Sequence, residues 1–268
     1  MLSIFYIRSL VRYCFILILT ASACSNPQDH TPRYIIDLSP TITEDMPERL
    51  MGQFFFNMLG MDPTVEFKHF KGEPPMYYLD SYITLFNHAG PHVDAPLHMI
   101  PNTAAVDEYD LEDFFGKARI LDFSDRSGND FVTLEEIKAF NIREGDIVIF
   151  YCGFKVTKGP DEVPNYTVPT KEAAEYLAGL PVKCYATDGL AVDNMPMLIE
   201  RFGQGVTDLE VFGPVHYAFL SKEVPIIEGL QNLDAIATYD EVVFAGFPLK
   251  TSGEAGDAAP MRAVALIY

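Results

Sequence analysis

Four of the six histidines in this 268-residue chain stand where they could share one ion: His88, His92 and His98 inside HAGPHVDAPLH, and His216 far downstream. Imidazole is the commonest side-chain ligand for zinc and related ions, so this clustering points first to metal chemistry. Taken singly, each histidine reads as a hydrogen-bonded core group. Three of them with Asp94 in matching positions are much harder to explain that way. Two imidazoles and a carboxylate make a borderline-hard ligand set suited to zinc or manganese, and they leave coordination positions open for water or substrate. A structural zinc is normally closed by four protein ligands, often cysteines, and this segment has no cysteine.

The spacing dictates what the backbone must do. In a helix His88 and His92 would share a face, but Asp94 would lie about 200° further round at roughly 100° per residue. Gly90, Pro91 and Pro96 argue against a helix in any case. In an extended chain positions 88, 92, 94 and 98 have the same parity, so their side chains project to one side. A straight strand would spread them over about 33 Å, too far for a single ion. The chain must therefore bend, and Gly90-Pro91 and Pro96 stand where bends would gather the row.

HAGPHVDAPLH resembles the HxGTHxDxPxH signature of the cyclase-like metal-dependent hydrolases, a family that includes bacterial kynurenine formamidase and isatin hydrolase. The resemblance runs on from about Ile35. IIDLSPTITEDMP is similar to the family's opening strand, DIVIFYCGF to its central strand, and ATDGLAVD to the following strand and turn. VHYAFLSKEVPIIEGLQNLD resembles its second metal segment, and FPLKTSGEAGDAAPMRAVALIY its closing hairpin. What the resemblance implies is specific. The residues matching His88 and His92 bind a first metal, Asp94 bridges to a second, His216 and Glu228 complete the second, and His98 is the proton donor and acceptor. Isatin hydrolase-like members carry a single manganese, so the choice between one and two divalent ions, and between Zn2+ and Mn2+, stays open. Without the family, Glu228 would pass for a solvated surface acid. The implied fold is a single α/β domain of the swivelling β/β/α type with a mixed-sheet core, usually a homodimer whose partner helps shape the pocket.

Departures from the pattern limit how far a substrate carries over. Pro91 replaces the usual threonine before the second histidine, removing a hydroxyl and a backbone donor. The chain has no tryptophan, so the aromatic substrate contact of the formamidases is absent as such. The end of the central strand reads Cys152-Gly153-Phe154 in place of a TGW-like sequence, and Phe54, Phe55 and Phe56 either line a substituted pocket or belong to the core.

The expected chemistry is hydrolysis of the C–N bond in a small cyclic or aryl amide. A divalent ion lowers the pKa of its bound water from 15.7 to about 7. His98 would take the water proton and return it to the leaving nitrogen. Two other classes use the same residues: an intramolecular cyclase or lyase, and a non-catalytic periplasmic protein that binds metal or ligand and has no need of His98.

The N-terminus bears on location. Arg8 and Arg12 precede the apolar run CFILILTASA, which ends at Cys24. The run is too short for a membrane span and fits a cleaved signal peptide over residues 1–23. Ala21-Ser22-Ala23-Cys24 is also similar to a bacterial lipobox, whose processing would lipidate Cys24 and tether the enzyme to a membrane on the periplasmic or outer side; soluble export is the alternative. Residues 24–33 read as a tether and 34–268 as the catalytic domain. Loss of Arg8 and Arg12 takes the formal charge from −19 to −21, which repels phosphate backbones and excludes nucleic acid as a partner. Cys152 and Cys184 would then be either a disulfide or two buried thiols.

The mature chain, residues 24–268, has the length and apolar content to bury one sizeable core, and it contains no internal repeat. Runs rich in β-branched and aromatic residues predict strands near 34–38, 81–87, 118–123, 146–151, 183–187, 242–248 and 262–268. Thr133 with Glu136 makes a capping-box pattern before IKAF, and Thr170 leads a helix that Pro181 stops. HYAFLSK after Pro214 predicts a helix with His216 in its first turn.

Overall fold

Strand and helix alternate along the chain, as expected of an α/β domain. In the computed structural model, which describes residues 31–46, 60, 65–128, 130–155, 163–239 and 241–268, the order begins with β1 (Tyr34–Asp37), β2 (Val65–Lys71), β3 (Leu79–Leu85), β4 (His92–Asp94), β5 (Phe115–Asp122) and β6 (Phe131–Val132). Helix α1 (Leu134–Lys138), β7 (Ile147–Tyr151), β8 (Val168–Pro169), α2 (Lys171–Gly179) and β9 (Tyr185–Thr187) follow. Helices α3 (Met195–Gly203), α4 (Leu209–Phe212) and α5 (Pro214–Leu220) lead to β10 (Ile226–Glu228), β11 (Glu241–Pro248) and β12 (Ala258–Ile267). Residues 32–268 form one compact unit. The expectations for the leader, for Cys24 and for Phe54–Phe56 lie outside the described residues.

The main sheet runs β1-β12-β11-β5-β7-β9-β10-β4, and a further pairing of β4 with β12 closes it on itself. Its centre is parallel, β5 beside β7, β7 beside β9 and β9 beside β10, and its other pairings are antiparallel. Both faces of the parallel centre are covered, which is why the IVIF run of β7 is apolar without alternation. Ile147, Ile149, Ala186, Ile227 and Val93 pack with Phe244 and Ala263 in one core. Val148, Phe150, Tyr185 and Ile226 pack against Leu177 of α2 and Val215 and Phe219 of α5 in the other. Strand periodicity sends neighbours to opposite faces, and this assigns His92, Asp94 and Glu228 to the face away from Val93 and Ile227.

The helix starts follow their local chemistry. Thr133 Oγ1 accepts from Glu136 N at 3.4 Å while Glu136 Oε2 accepts from Thr133 N at 2.8 Å, a reciprocal capping box on α1. Thr170 Oγ1 accepts from Ala173 N at 3.2 Å at the start of α2, which ends before Pro181. Pro214 occupies the first position of α5 and places His216 in its opening turn.

Some elements were not anticipated. Strands β2, β4, β6, β8 and β10 and helices α3 and α4 went unassigned, β4 and β10 being three residues each between prolines and glycines that read as turns. Strand β2 pairs with β3 in a hairpin that leaves Phe70, Tyr78, Leu79, Tyr82 and Ile83 exposed. Cys152 and Cys184 are both free and buried, one in each of the two cores, so the sheet stands between them and no disulfide forms. Among the described residues no helix is long and apolar enough to cross a membrane.

Candidate metal centre

The bends expected of HAGPHVDAPLH occur at the expected residues. Gly90 turns at φ +72°, a conformation that disfavours a side chain, and the chain then enters β4. His92 and Asp94 project from the same face of that strand. Pro96 starts a short 3-10 turn, Pro96–His98, that brings His98 back toward His88. Glu228 lies directly across the β4–β10 ladder from His92, and α5 delivers His216 from the helical layer.

The side chains converge on Asp94. Its Oδ1 is 3.3 Å from His88 Nε2 and 3.4 Å from His92 Nε2, and its Oδ2 is 3.8 Å from His216 Nε2. Glu228 spans the other side, with Oε2 3.5 Å from His92 Nε2 and Oε1 3.2 Å from His216 Nε2. His98 approaches through its other nitrogen, Nδ1 lying 3.1 Å from His88 Nε2.

Each converging imidazole is held from behind by an oxygen. His88 Nδ1 faces Asn87 Oδ1 at 2.8 Å, His92 Nδ1 faces the Gly90 carbonyl at 3.0 Å, and His216 Nδ1 faces Asp193 Oδ2 at 2.7 Å. An oxygen acceptor puts the proton on Nδ1 and leaves Nε2 as the ligand atom, which is the usual way a protein presents imidazole to a metal.

Electrostatics describe the same cluster. Burial works against the charged form of His92, but Asp94 and Glu228 more than offset it and hold its pKa up at about 9. Burial likewise opposes charge on His216, yet Asp193 and Glu228 push its pKa well up. Desolvation would raise Asp94, but His98, His92 and His88 pull its pKa down. Burial and Asp94 would raise Glu228, and His216 and His92 bring it below the ordinary value. Burial lowers His88 despite the pull of Asp94. Ring protons thus balance two buried carboxylates.

That balance leaves polar atoms stranded. His92 Nε2 and both oxygens of Asp94 are buried without a hydrogen-bond partner. Such orphans cost about 1–3 kcal/mol each, more when charged, and their grouping is what a cation would relieve. Three imidazole nitrogens with two carboxylates are a donor set that fits a divalent ion of the zinc or manganese kind. The residues present therefore fit a metal, with His88, His92 and Asp94 forming one close set.

Two participants escaped sequence reading. Asp257, which follows the 3-10 turn Gly253–Gly256, has Oδ2 3.6 Å from His98 Nδ1 and 4.0 Å from His88 Nε2, and its Oδ1 accepts from Asn87 Nδ2 at 2.6 Å. Asp193 backs His216. Both occur in stretches that carry the family resemblance, GEAGDAAP and ATDGLAVD, but no spacing rule links either to the histidines. Asp257 and His98 are about a quarter exposed, at 26% and 29% of their side chains, whereas Asp94 is at 1%, so the cluster opens to solvent on the His98 side. Pro91 points elsewhere, into a groove of about 570 Å³ that it lines with Leu85, Phe247, Leu249, Pro260 and Met261. The altered Cys152-Gly153-Phe154 turn is held by Asp188, whose oxygens accept from Cys152 N at 2.8 Å and Phe154 N at 2.9 Å.

Comparison with known proteins supports the same direction. The model of the family described as putative cyclase matches residues 36–194. Kynurenine formamidase of Salinibacter ruber is 32% identical over 183 residues, covering 68% of this chain and 77% of that protein. Isatin hydrolase of Roseibium aggregatum is 24% identical over 211 residues, covering 71% and 76%. A solved structure described as a potential metal-dependent hydrolase with cyclase activity superposes with a TM-score of 0.62 at 24% identity, covering 88% of this chain and 98% of that one.

Proposed function

This chain belongs to the cyclase family, whose model spans most of its α/β domain, and from that premise we propose that it is a metal-dependent amidohydrolase cleaving the C–N bond of a small cyclic or aryl amide. One observation carries the reading: three Nε2 atoms, each with its Nδ1 held by an oxygen, converge with Glu228 on a buried Asp94 whose oxygens have no hydrogen-bond partner.

His88, His92, Asp94, His216 and Glu228 would hold the metal. The two oxygens of Asp94 face different histidines, Oδ1 toward His88 and His92 and Oδ2 toward His216, so donors would be available on either side of it for a second ion as well as a first. Zinc and manganese both suit such N and O donors. When bound, a divalent ion supplies Lewis acidity, lowering the pKa of a coordinated water and drawing charge from a carbonyl oxygen. His98 is the catalytic acid and base. It stands at the solvent-accessible side of the cluster, accepts the proton released as water oxygen bonds to the amide carbon, and gives it to the nitrogen as the C–N bond breaks, leaving an acid and an amine. Such proton transfer is typically worth about 10² to 10⁴ in rate. Asp94 and Glu228 supply the negative charge that would hold a divalent cation at the buried histidines.

The test is a substrate panel of N-formyl aryl amides, isatin-like lactams and cyclic imides offered to the zinc- or manganese-loaded chain. Hydrolysis of a member supports the proposal. Binding without turnover would favour a ligand-binding protein, and conversion without uptake of water an intramolecular cyclase or lyase. Export and a lipid anchor at Cys24 remain proposals from sequence, and a Cys24→Ala chain that still partitions wholly with membranes would overturn the anchor. We also propose that the chain forms a homodimer, and the exposed Phe70, Tyr82 and Ile83 of the β2–β3 hairpin support that reading.

A further inference from the structure

We infer that Asp193 is a positioning residue that sets the tautomer of His216 and so controls the affinity of the ion position built from His216 and Glu228; this rests on the metal-centre reading above. Asp193 is almost fully buried, and its carboxylate accepts three N–H groups from the first turn of α5. Oδ1 takes Val215 N at 2.9 Å, while Oδ2 takes His216 N at 3.1 Å and His216 Nδ1 at 2.7 Å. A carboxylate offers acceptors only, so the ring proton must sit on Nδ1. Nε2 is then the atom presented to Glu228 Oε1 and Asp94 Oδ2. The carboxylate is also confined: a Cβ added to Gly213 would come within 3.1 Å of Asp193 Oδ2.

An asparagine at this position cannot satisfy the same three donors. With its oxygen toward Val215 N, its NH2 group faces His216 and makes Nδ1 an acceptor, which moves the ring proton to Nε2 and blocks the ligand atom. With its oxygen toward His216, the NH2 group meets the Val215 N–H donor to donor, leaving a buried amide unpaired. The first arrangement removes the tautomer the metal needs, and the second disturbs the turn that aims the ring. His88 and His92 are backed by Asn87 and by the Gly90 carbonyl, not by Asp193, so their side of the centre is untouched.

The experiment compares the parent chain with Asp193→Asn and Asp193→Ala. Imidazole nitrogen NMR of the metal-free proteins, followed to a pH at which the His216 ring is neutral, reads its tautomer, and Zn2+ titration with metal analysis reads stoichiometry and affinity. The parent is expected to hold His216 with its proton on Nδ1 and to bind two Zn2+. Asp193→Asn is expected to shift that proton toward Nε2 and to weaken one Zn2+ by about 10- to 100-fold while the other is unchanged. Asp193→Ala, which imposes no donor, is expected to lose affinity at the same ion without the tautomer shift, and it serves if the asparagine chain fails to fold. Unchanged affinity for both ions together with an unmoved tautomer in the folded variants overturns the inference. A parent chain that takes up no zinc overturns the metal-centre reading instead, and the two failures are told apart because this one appears before any substitution.

Discussion

Glu228 stands directly opposite His92 in the antiparallel β4–β10 register, and its Oε2 lies 3.5 Å from His92 Nε2. Cross-strand neighbours are brought close by the ladder itself, whatever their separation in sequence. A slip of one residue would turn Glu228 into the apolar core and point Ile227 at the histidine. The site therefore depends on sheet register as much as on residue type, and the following outcomes are expected from its geometry.

Removing the proposed acid and base should cost rate and not metal. His98→Ala is expected to lower kcat by about 10² to 10⁴ with bound zinc or manganese unchanged. Metal analysis beside steady-state kinetics checks it, and full turnover in the variant would remove His98 from the mechanism.

Metal uptake should release protons. With its pKa at about 9, the His92 ring is largely protonated at neutral pH before metal binds, and an ion must displace that proton to reach Nε2; the raised pKa of His216 acts in the same sense. The sign is that affinity rises with pH up to about 9. Calorimetric titration of Zn2+ in buffers of different ionisation heat should report net proton release, and a buffer-independent heat would contradict it.

The ion should also stabilise the fold, since it relieves the stranded atoms of Asp94 and His92. At a free concentration about 100 times its Kd, one ion adds about 2.7 kcal/mol, or roughly 5–10 °C in Tm for a chain of this size. Asp94→Ala should abolish the rise seen on adding zinc to chelator-treated protein.

The α1 capping box should leave an acid signature. Hydrogen bonds from Thr133 and the neighbouring Arg126 lower the Glu136 pKa to about 2. A depressed carboxylate pKa contributes stability above its ordinary value near 4.5, and the contribution is lost as pH falls from there toward about 2. Glu136→Gln should lower Tm slightly at pH 6, a small effect because the group is exposed and screened by salt, and parent and variant should converge near pH 2. Parallel melts across that range decide it.

Much of this was readable locally. The shared parity of residues 92 and 94, the bends at Gly90 and Pro96, the Thr133 and Thr170 caps and the Pro214 helix start are short-range steric and hydrogen-bonding facts, so a few residues suffice to specify them. The same is true of the apolar run of β7. Strands β4 and β10 are three residues each and closely flanked by Pro91, Pro96, Pro225 and Gly229, which hid them although both frame the site.

Residue type and spacing alone determined that His92 and Asp94 share one strand face and that a bend at Gly90-Pro91 can bring His88 to them. Only the tertiary structure decided which distant groups complete the cluster. Asp257 reaches His98 through closure of the sheet between β4 and β12, Glu228 reaches His92 through the β4–β10 ladder, and Asp193 reaches His216 across the start of α5. These approaches arise from register and packing between remote segments, which local propensity does not encode.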